Sequence, residues 1–249
     1  MSGIIRVGVL GSRGRMGTAV CAAVEGDPDL DLVATVDLGD SLEVLTRARC
    51  QVAVDFTGPD SVMENISFCI KNGIAVVVGT SGFTAEKIDM VRLWVSQRPN
   101  SRVLIAPNFS VGAVLMMEFS ARASRFFESV EIVEMHHPEK LDAPSGTALH
   151  TAERIAQVRK GMQLPPDATE HDELHARGAN VSDVRIHSVR LKGLIAHQEV
   201  LLGGTGESLT IRHDSFTRES FMPGVLLSIK EVGHLDGLTI GLESLLLEK

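Results

Sequence analysis

The chain has 249 residues, of which 44% are hydrophobic and 22% charged, so it can form one large domain or two modest ones, each with a core. Its 24 basic and 32 acidic residues give a formal net charge of −8, and it has no Tyr and a single Trp. Nucleic-acid binding needs clustered basic residues and often aromatic stacking platforms, so this composition excludes nucleic acid and favours a small-molecule partner.

The first hundred residues alternate short apolar runs with stretches of helical periodicity. Strands are predicted at residues 4–10, 30–36, 52–56, 74–78 and 103–105, and helices at 16–25, 59–72 and 84–96. This alternation is typical of a parallel sheet covered by helices on both faces, in which ligands bind beyond the carboxyl ends of the strands. Each predicted strand ends in a small, mostly Gly-, Thr- or Asn-containing turn that would let a ligand approach the backbone.

The pattern changes after Asn108. A helix is predicted at 111–127, a strand at 130–135, and a helix from about 145 to 159 with Pro144 in its first turn. Residues 184–212 alternate and are interrupted by glycines, which predicts antiparallel strands, and 218–232 are predicted to be helical. We therefore expect an α/β protein: a Rossmann-like, doubly wound parallel sheet, followed by an α+β domain with a mixed or antiparallel sheet. The first domain would comprise residues 1–107 and about 217–249, and the second 108–216.

The three cysteines, Cys21, Cys50 and Cys69, lie in apolar or mixed runs without a CxxC pair. This favours reduced thiols over a disulfide framework or a zinc site. No apolar run approaches the ~20 residues needed to span a bilayer, and the first residues do not resemble a signal peptide. We expect a cytoplasmic protein without a metal ion and without a membrane partner.

Residues 11–17 form a G-x-x-G-x-x-G motif between the first predicted strand and helix, with Gly11, Gly14 and Gly17 as its glycines. Glycines there permit a tight turn and close approach of a pyrophosphate, and the helix N-terminus supplies N–H donors and a positive dipole end. A glycine triplet alone also fits an ordinary strand–helix turn. Its place after a strand and before a helix favours a dinucleotide.

Asp37 lies 20 positions after Gly17, at the end of the second predicted strand, where an acid would accept hydrogen bonds from the adenosine ribose. A carboxylate there would repel a 2′-phosphate, which indicates NADH. Arg13 and Arg15 could pair with that phosphate, which indicates NADPH, or they could be solvated surface charges. We expect NADH to be at least competent, with use of both nucleotides.

The segment 134–148 concentrates polar groups around two histidines and a lysine. Pro138 disfavours a helix through the preceding residue, so His136 and His137 are expected at a strand end or in a loop. A histidine can exchange a proton near neutral pH, and Lys140 can donate one or neutralise developing charge. Residues 145–147 at a helix N-terminus would suit a substrate carboxylate. A structural His-His pair, a solvated lysine or a metal site remain alternatives from these residues alone.

The string Glu-x-His-His-x-x-Lys-x-Asp-Ala-Pro-Ser-Gly-Thr-Ala at 134–148 resembles the signature of dihydrodipicolinate reductases and matches it in full. The resemblance extends to residues 11–17, 55–57, 79–82 and 106–109, and so covers nearly the whole chain. Two departures are Leu38, where many members carry Arg after the ribose-binding acid, and Ser81, where a second Thr is frequent.

This resemblance implies His136 as general acid and base, Lys140 as proton donor, and His137, Gly146 and Thr147 as substrate contacts, to which Ser145 is added from the helix argument. The nucleotide would be bound by the glycine loop and the ends of later strands, namely by Gly11, Ser12, Arg13, Gly14, Arg15, Met16, Asp37, Gly79, Thr80, Ser81, Ala106, Pro107, Asn108 and Phe109.

The implied reaction is reduction of the dehydrated form of 4-hydroxy-tetrahydrodipicolinate, a small dicarboxylate, to tetrahydrodipicolinate by NADH or NADPH in lysine and diaminopimelate biosynthesis. Domain closure would bring the nucleotide onto the substrate. The resemblance also implies a homotetramer built through the second-domain sheet. Two rivals are another two-domain dehydrogenase of amino-acid metabolism, whose aldehyde-type members need a nucleophilic cysteine, and a non-catalytic nucleotide sensor.

Overall fold

The computed structural model describes residues 3–80, 82–163, 165 and 167–247. The chain divides into two compact units, Met1–Val111 with Arg218–Lys249, and Gly112–Thr217. In the described residues the strands are β1 (Ile5–Leu10), β2 (Leu30–Val36), β3 (Val52–Asp55), β4 (Ala75–Val78), β5 (Arg102–Ile105), β6 (Ser129–His136), β7 (Ala179–Val181), β8 (Val184–Arg190), β9 (Ala196–Gly204), β10 (Glu207–Ser215) and β11 (Gly237–Ile240).

The α-helices of the described residues are α1 (Arg15–Glu25), α2 (Glu43–Arg47), α3 (Val62–Asn72), α4 (Ala85–Ser96), α5 (Val111–Ser124), α6 (Gly146–Val158), α7 (Met222–Glu231) and α8 (Glu243–Leu247). Short 3-10 helices cover Arg218–Phe221 and Val232–His234. None of these helices is long and apolar enough to cross a membrane.

The first unit is built on a six-stranded sheet of order β11-β5-β4-β3-β1-β2, in which every pairing is parallel. Strands β3, β4 and β5 are short and almost entirely buried because helices cover both faces of a parallel sheet. After β1 the chain adds β2 on one side and β3 on the other. The chain therefore reverses direction across the sheet at β1, and this is where such folds bind ligands.

The last strand, β11, pairs in parallel with β5, with Leu238 opposite Val103. The sequence predicted only an apolar tail there, because Gly237–Ile240 includes a glycine and a threonine and lacks the buried apolar run of β4. Helix α7 contacts α1, so the C-terminal segment contributes both a strand and a helix to the first unit.

The second unit is built on a five-stranded sheet of order β10-β9-β6-β8-β7. The β6–β8 pairing is parallel and the other three are antiparallel, so the sheet is mixed. Helix α6 contacts β6, β7 and β8, and alternate β6 residues, Val130, Ile132 and Glu134, are buried. The predicted fold class, a Rossmann-like parallel sheet plus an α+β domain, is confirmed.

Several predicted helix boundaries were wrong. Helix α3 begins at Val62, three residues after the predicted start at Pro59. Helix α5 ends at Ser124, before the predicted Phe127. Helix α6 begins at Gly146, with Ser145 as its N-cap, so Pro144 lies before the helix instead of in its first turn. The Ser145 side chain accepts a hydrogen bond from the Ala148 N–H, which is the usual way in which a serine starts a helix.

Candidate functional site: a nucleotide cavity and a proton-handling loop

The turn between β1 and α1 requires its glycines. Gly11 has a φ of +78°, and a Cβ atom there would lie 2.7 Å from the carbonyl oxygen of Phe56. A Cβ on Gly17 would lie 2.0 Å from the carbonyl oxygen of Gly11. Side chains at either position would push the helix away from the strand end. The glycines therefore bring the N-terminus of α1, with Gly14 as its N-cap, directly against β1.

Asp37 follows β2 and is held beside this loop by two backbone N–H groups. Its carboxylate accepts hydrogen bonds from the Arg13 N–H at 2.7 Å and the Leu38 N–H at 2.9 Å. These bonds, the Arg13 one first, lower the pKa of Asp37. The side chain of Arg13 pairs with Asp40 at 3.7 Å, and the side chain of Leu38 is 95% exposed. The loop and the acid are thus one hydrogen-bonded unit.

A cavity of about 440 Å³ opens beside that unit, at the carboxyl ends of β1, β2 and β3. Its lining includes Gly11, Gly14, Asp37, Leu38, Phe56 and Thr57. Backbone donors at a helix N-terminus, a carboxylate and apolar walls are the groups that hold a pyrophosphate, a ribose and a base. The residues present therefore fit a dinucleotide.

Buried Asp55 joins the ends of β3 and β4. One carboxylate oxygen accepts hydrogen bonds from the Thr57 hydroxyl at 2.7 Å and the Thr80 hydroxyl at 2.9 Å, and the other accepts from the Asn65 amide at 2.8 Å. A Cβ on Gly79 would lie 2.2 Å from the Phe56 ring. Gly79 and Thr80 are therefore fixed against the turn after β3. The sequence analysis had assigned Asp55 and Asn65 no role in this.

The turn after β5 carries the last predicted nucleotide residues. The Ala106 N–H donates to the Val78 carbonyl at 3.0 Å, and the buried ring of Phe109 lies 5.6 Å from that of Phe56. The Asn108 side chain accepts from the Ser110 N–H at 2.8 Å, and Pro107 is exposed. These residues follow a strand of the first sheet, as Ser12 does, whereas Arg15 and Met16 are the first two residues of α1. Ser81 lies outside the described residues.

In the second unit, His136 is the last residue of β6. Its Nδ1 atom lies 2.5 Å from Oε2 of Glu134. Burial lowers the pKa of His136, and the nearby charges of Lys140 and Arg190 lower it further, although Glu134 opposes them. The ring is therefore neutral over a wider pH range than an exposed histidine.

Glu134 is fully buried and is bound by Arg190 through two hydrogen bonds, at 2.8 and 2.9 Å. Burial alone would raise the pKa of Glu134, but hydrogen bonds from Arg190, Ser188 and His136 together lower it, so the carboxylate stays ionised. Sequence reasoning gave neither residue a role. One signal was present: a glutamate at an inward-facing strand position, after Val130 and Ile132, requires a buried partner.

The loop after His136 brings Lys140 and the start of α6 to one carboxylate. The Lys140 ammonium lies 2.7 Å from the Asp142 carboxylate, and the Lys140 N–H donates to the His137 carbonyl at 3.2 Å. The pKa of Asp142 is lowered first by the hydrogen bond from Lys140, with the Gly146 N–H also contributing. Lys140 and the N-terminus of α6 therefore converge on a single anion position.

The predicted substrate residues at this helix start differ in exposure. Ser145 is buried; its hydroxyl caps α6, and its N–H donates to Glu134 at 3.3 Å. Gly146 is exposed and Thr147 is partly exposed, so backbone groups at these two positions can meet a ligand. His137 is partly buried. Among the described residues, no group of three or more His, Cys, Asp or Glu side chains is arranged to hold a metal ion.

Each of the two units matches a family model of known proteins. Residues 5–109 match the family model described as dihydrodipicolinate reductase, N-terminus, and residues 112–246 match the one described as dihydrodipicolinate reductase, C-terminus. The chain belongs to the dihydrodipicolinate reductase family. Within that family it is 57% identical over 241 residues to the 4-hydroxy-tetrahydrodipicolinate reductase of Corynebacterium diphtheriae, covering 96% of this chain and 97% of that one. It is 58% identical over 244 residues to the enzyme of the same name from Nocardia farcinica, covering 97% and 98%.

A solved structure of the same family has the same fold. It is the dipicolinate-bound dihydrodipicolinate reductase from Paenisporosarcina sp. TG-14, which is 39% identical to this chain. The superposition has a TM-score of 0.87 and covers 96% of this chain and 98% of that one. The family resemblance inferred from residues 134–148 is therefore confirmed over nearly the full length.

Proposed function

We propose that this protein reduces the dehydrated form of 4-hydroxy-tetrahydrodipicolinate to tetrahydrodipicolinate, a step of lysine and diaminopimelate biosynthesis. A bound nicotinamide nucleotide would supply the hydride, which adds at C4 of the unsaturated ring. A proton from the protein completes the reduction of the conjugated system. The observation that carries the proposal is the ion pair of Lys140 with Asp142, on the loop that joins the partly buried His136 to the start of α6.

The substrate residues fall into two groups. Gly146 and Thr147 at the N-terminus of α6, with His137 beside them, would bind a ring carboxylate through N–H groups, supported by the helix dipole. Ser145 would contribute indirectly, because its hydroxyl and N–H already cap α6 and bind Glu134. The related Paenisporosarcina enzyme was solved with dipicolinate, an aromatic ring with two carboxylates, and this agrees with a dicarboxylate substrate here.

His136 and Lys140 would handle the proton. The Nδ1 atom of His136 is engaged by Glu134, so Nε2 is the ring nitrogen that would exchange a proton with the substrate. Lys140 would donate a proton or neutralise negative charge that develops on the ring. Its present partner, Asp142, shows that its ammonium can reach a carboxylate beside α6.

For the nucleotide we propose NADH as a competent donor, with NADPH also accepted. Asp37 is ionised and lies where a ribose hydroxyl would bind, which favours NADH. Asp40 adds a second negative charge, and it already pairs with Arg13, one of the two loop arginines that could bind a 2′-phosphate. The dinucleotide would be held by residues 11–16, 79–81 and 106–109 in addition to Asp37.

We also propose a homotetramer formed through the second sheet. Helix α6 packs on the face of the sheet that buries Ile132. The other face carries a 39% exposed Leu201 between Glu131 and Thr210 on the neighbouring strands. Mixed apolar and charged sheet faces of this kind suit pairing between identical subunits. The cytoplasmic location stays a prediction.

The thiols argue against an aldehyde-type dehydrogenase. Cys50 and Cys69 are buried, and burial raises the pKa of Cys50 to about 11. Burial also raises the pKa of Cys69 and that of the partly buried Cys21. Since the thiolate is the nucleophile, none of the three is poised for covalent catalysis.

The test is consumption of NADH or NADPH, followed by absorbance of the reduced nicotinamide, with ring substrate that is generated enzymatically. We expect turnover only when both the nucleotide and the ring substrate are present. Binding of nucleotide without turnover would indicate a sensor, and turnover with an amino acid or aldehyde alone would indicate another dehydrogenase.

A further inference from the structure

A single buried carboxylate connects the two halves of the proposed substrate site. Oε2 of Glu134 lies 2.5 Å from Nδ1 of His136, on the proton-handling side. Oε1 accepts the Ser145 N–H at 3.3 Å, at the start of the helix that would bind the substrate carboxylate. Arg190 donates one hydrogen bond to each oxygen, so the carboxylate cannot rotate without breaking an ion pair.

We infer that Glu134, held by Arg190, is a positioning residue that fixes the tautomer of His136 and, through the same carboxylate, the N-terminus of α6. This inference rests on the proposed function, in which His136 exchanges a proton with the substrate.

The tautomer follows from the chemistry of the carboxylate. Glu134 remains ionised in spite of its burial, and an ionised carboxylate can only accept hydrogen bonds. Nδ1 of His136 must therefore carry a hydrogen, and Nε2 is the nitrogen that gains or loses a proton. When Nε2 gives its proton to the substrate, the ring becomes neutral with Nδ1–H still bound to Glu134, and a proton from water restores it.

The charges around His136 oppose one another. Glu134 stabilises the imidazolium form, while Lys140 from the loop and Arg190 from β8 destabilise it, and burial is the largest effect. Removing the negative charge of Glu134 would leave burial and two cations, so the pKa of His136 would fall. The pH profile of turnover should therefore show deprotonation of His136 at a lower pH than in the wild type.

Arg190 extends the same arrangement to the loop. Besides Glu134, its guanidinium donates to the Asp142 carbonyl at 2.7 Å, and the carboxylate of Asp142 binds Lys140 at 2.7 Å. The Arg190 side chain thus holds both Glu134, which binds His136, and the backbone carbonyl of Asp142, whose carboxylate binds Lys140. A planar guanidinium can do this with several directed donors, whereas a lysine ammonium cannot reproduce the paired geometry.

The central experiment compares wild type with Glu134→Gln in the full chain, using ¹⁵N NMR of the histidine rings, with the His136 signals assigned from His136→Ala. We expect the Nδ1–H tautomer in the wild type. In Glu134→Gln we expect a mixed or reversed tautomer, a lower pKa for His136, and a fall in kcat of ~10²-fold, the size of a general acid–base contribution. Glu134→Asp, which keeps the charge, should restore the His136 pKa in part.

The matched control lies on the same strand. Glu131 binds Arg177 at 2.6 Å and the ring of His187 at 2.7 Å, and so forms a second Arg–Glu–His cluster, away from His136. Glu131→Gln should alter the His187 signals and leave the tautomer and the pKa of His136 unchanged. If Glu134→Gln does not fold, Arg190→Lys, which loses the paired hydrogen bonds to Glu134, provides the test by the same measurements. A His136 tautomer and pH profile unchanged in Arg190→Lys would then overturn the inference.

The outcomes separate this inference from the proposed function. If the His136 tautomer, its pKa and the pH profile stay as in the wild type when Glu134 is neutralised, Glu134 does not position His136, even though His136→Ala is inactive. If His136→Ala keeps full turnover, the proposed role of His136 is wrong, while the NMR comparison still reports whether Glu134 controls its ring.

Discussion

Arg190, the last residue of β8, lies opposite His136 in the parallel pairing of β6 with β8. Its guanidinium binds Glu134, which lies on β6. Arg190 and Glu134 are 56 positions apart in the chain. Because both oxygens of the buried carboxylate are held, the ring of His136 and the start of α6 are fixed by the sheet itself instead of by a flexible loop. The proposed chemistry thus starts from a preorganised arrangement.

Removing the proposed proton-handling groups should lower turnover without weakening nucleotide binding. We expect His136→Ala to lower kcat by ~10²–10⁴-fold and Lys140→Ala by ~10²-fold, because each removes a group that exchanges a proton or neutralises charge. The Kd for NADH, measured by fluorescence titration, should change little. His150→Ala, which removes a half-exposed histidine of α6, is the control and should keep normal turnover. Wild-type turnover of either active-site variant would contradict its assigned role.

The carboxylate of Asp37 should set the nucleotide preference. Asp37→Asn keeps the shape but loses the charge, and hydrogen bonds to charged groups are stronger than those to neutral ones, so NADH affinity should fall by ~10-fold or more. NADPH should lose less, because the repulsion of its 2′-phosphate is relieved. Comparing kcat/KM for both nucleotides measures the shift. Asp31→Asn, an exposed acid of β2 that pairs with Arg6, should leave the ratio unchanged. An equal loss for both nucleotides would exclude Asp37 as the discriminating residue.

Gly17→Ala should both destabilise the protein and weaken nucleotide binding. A Cβ at this position would lie 2.0 Å from the Gly11 carbonyl oxygen, and such overpacking costs ~1–3 kcal/mol. Denaturant unfolding and NADH titration measure the two effects. Gly233→Ala is the control, since a Cβ there meets no atom within 4 Å. Unchanged NADH affinity in Gly17→Ala would show that the turn does not need this close approach.

The thiols should react slowly in the folded protein. Burial raises the pKa of Cys50 to about 11 and also raises that of Cys69, so little thiolate is present at mildly alkaline pH. We expect iodoacetamide under these conditions to leave turnover intact, while all three cysteines react in guanidinium chloride. Mass spectrometry counts the labels. Rapid inactivation that tracks labelling of Cys50 or Cys69 would support a thiol mechanism instead.

Local patterns predicted the short strands of the first sheet that form apolar runs. Strands β3, β4 and β5 have only four residues each, but most of these are apolar and buried, so they were predicted. Strands β7 and β11 are as short and have no buried residue, so the sequence there shows no such run. The start of α6 was misplaced because Pro144 was favoured over Ser145, although a serine followed by a helical run is itself a strong N-cap signal.

The sequence by itself determined the chemical groups: the glycines that a tight strand–helix turn requires, the acid after β2, and the His-His-x-x-Lys loop. These are local features, since each follows from a few neighbouring residues. Only the tertiary structure decided that Arg190 binds Glu134, that Asp55 joins the ends of β3 and β4, and that the Ser145 hydroxyl is used in capping α6. Those relationships depend on strand order and register, which long-range pairing sets and which no short stretch of sequence encodes.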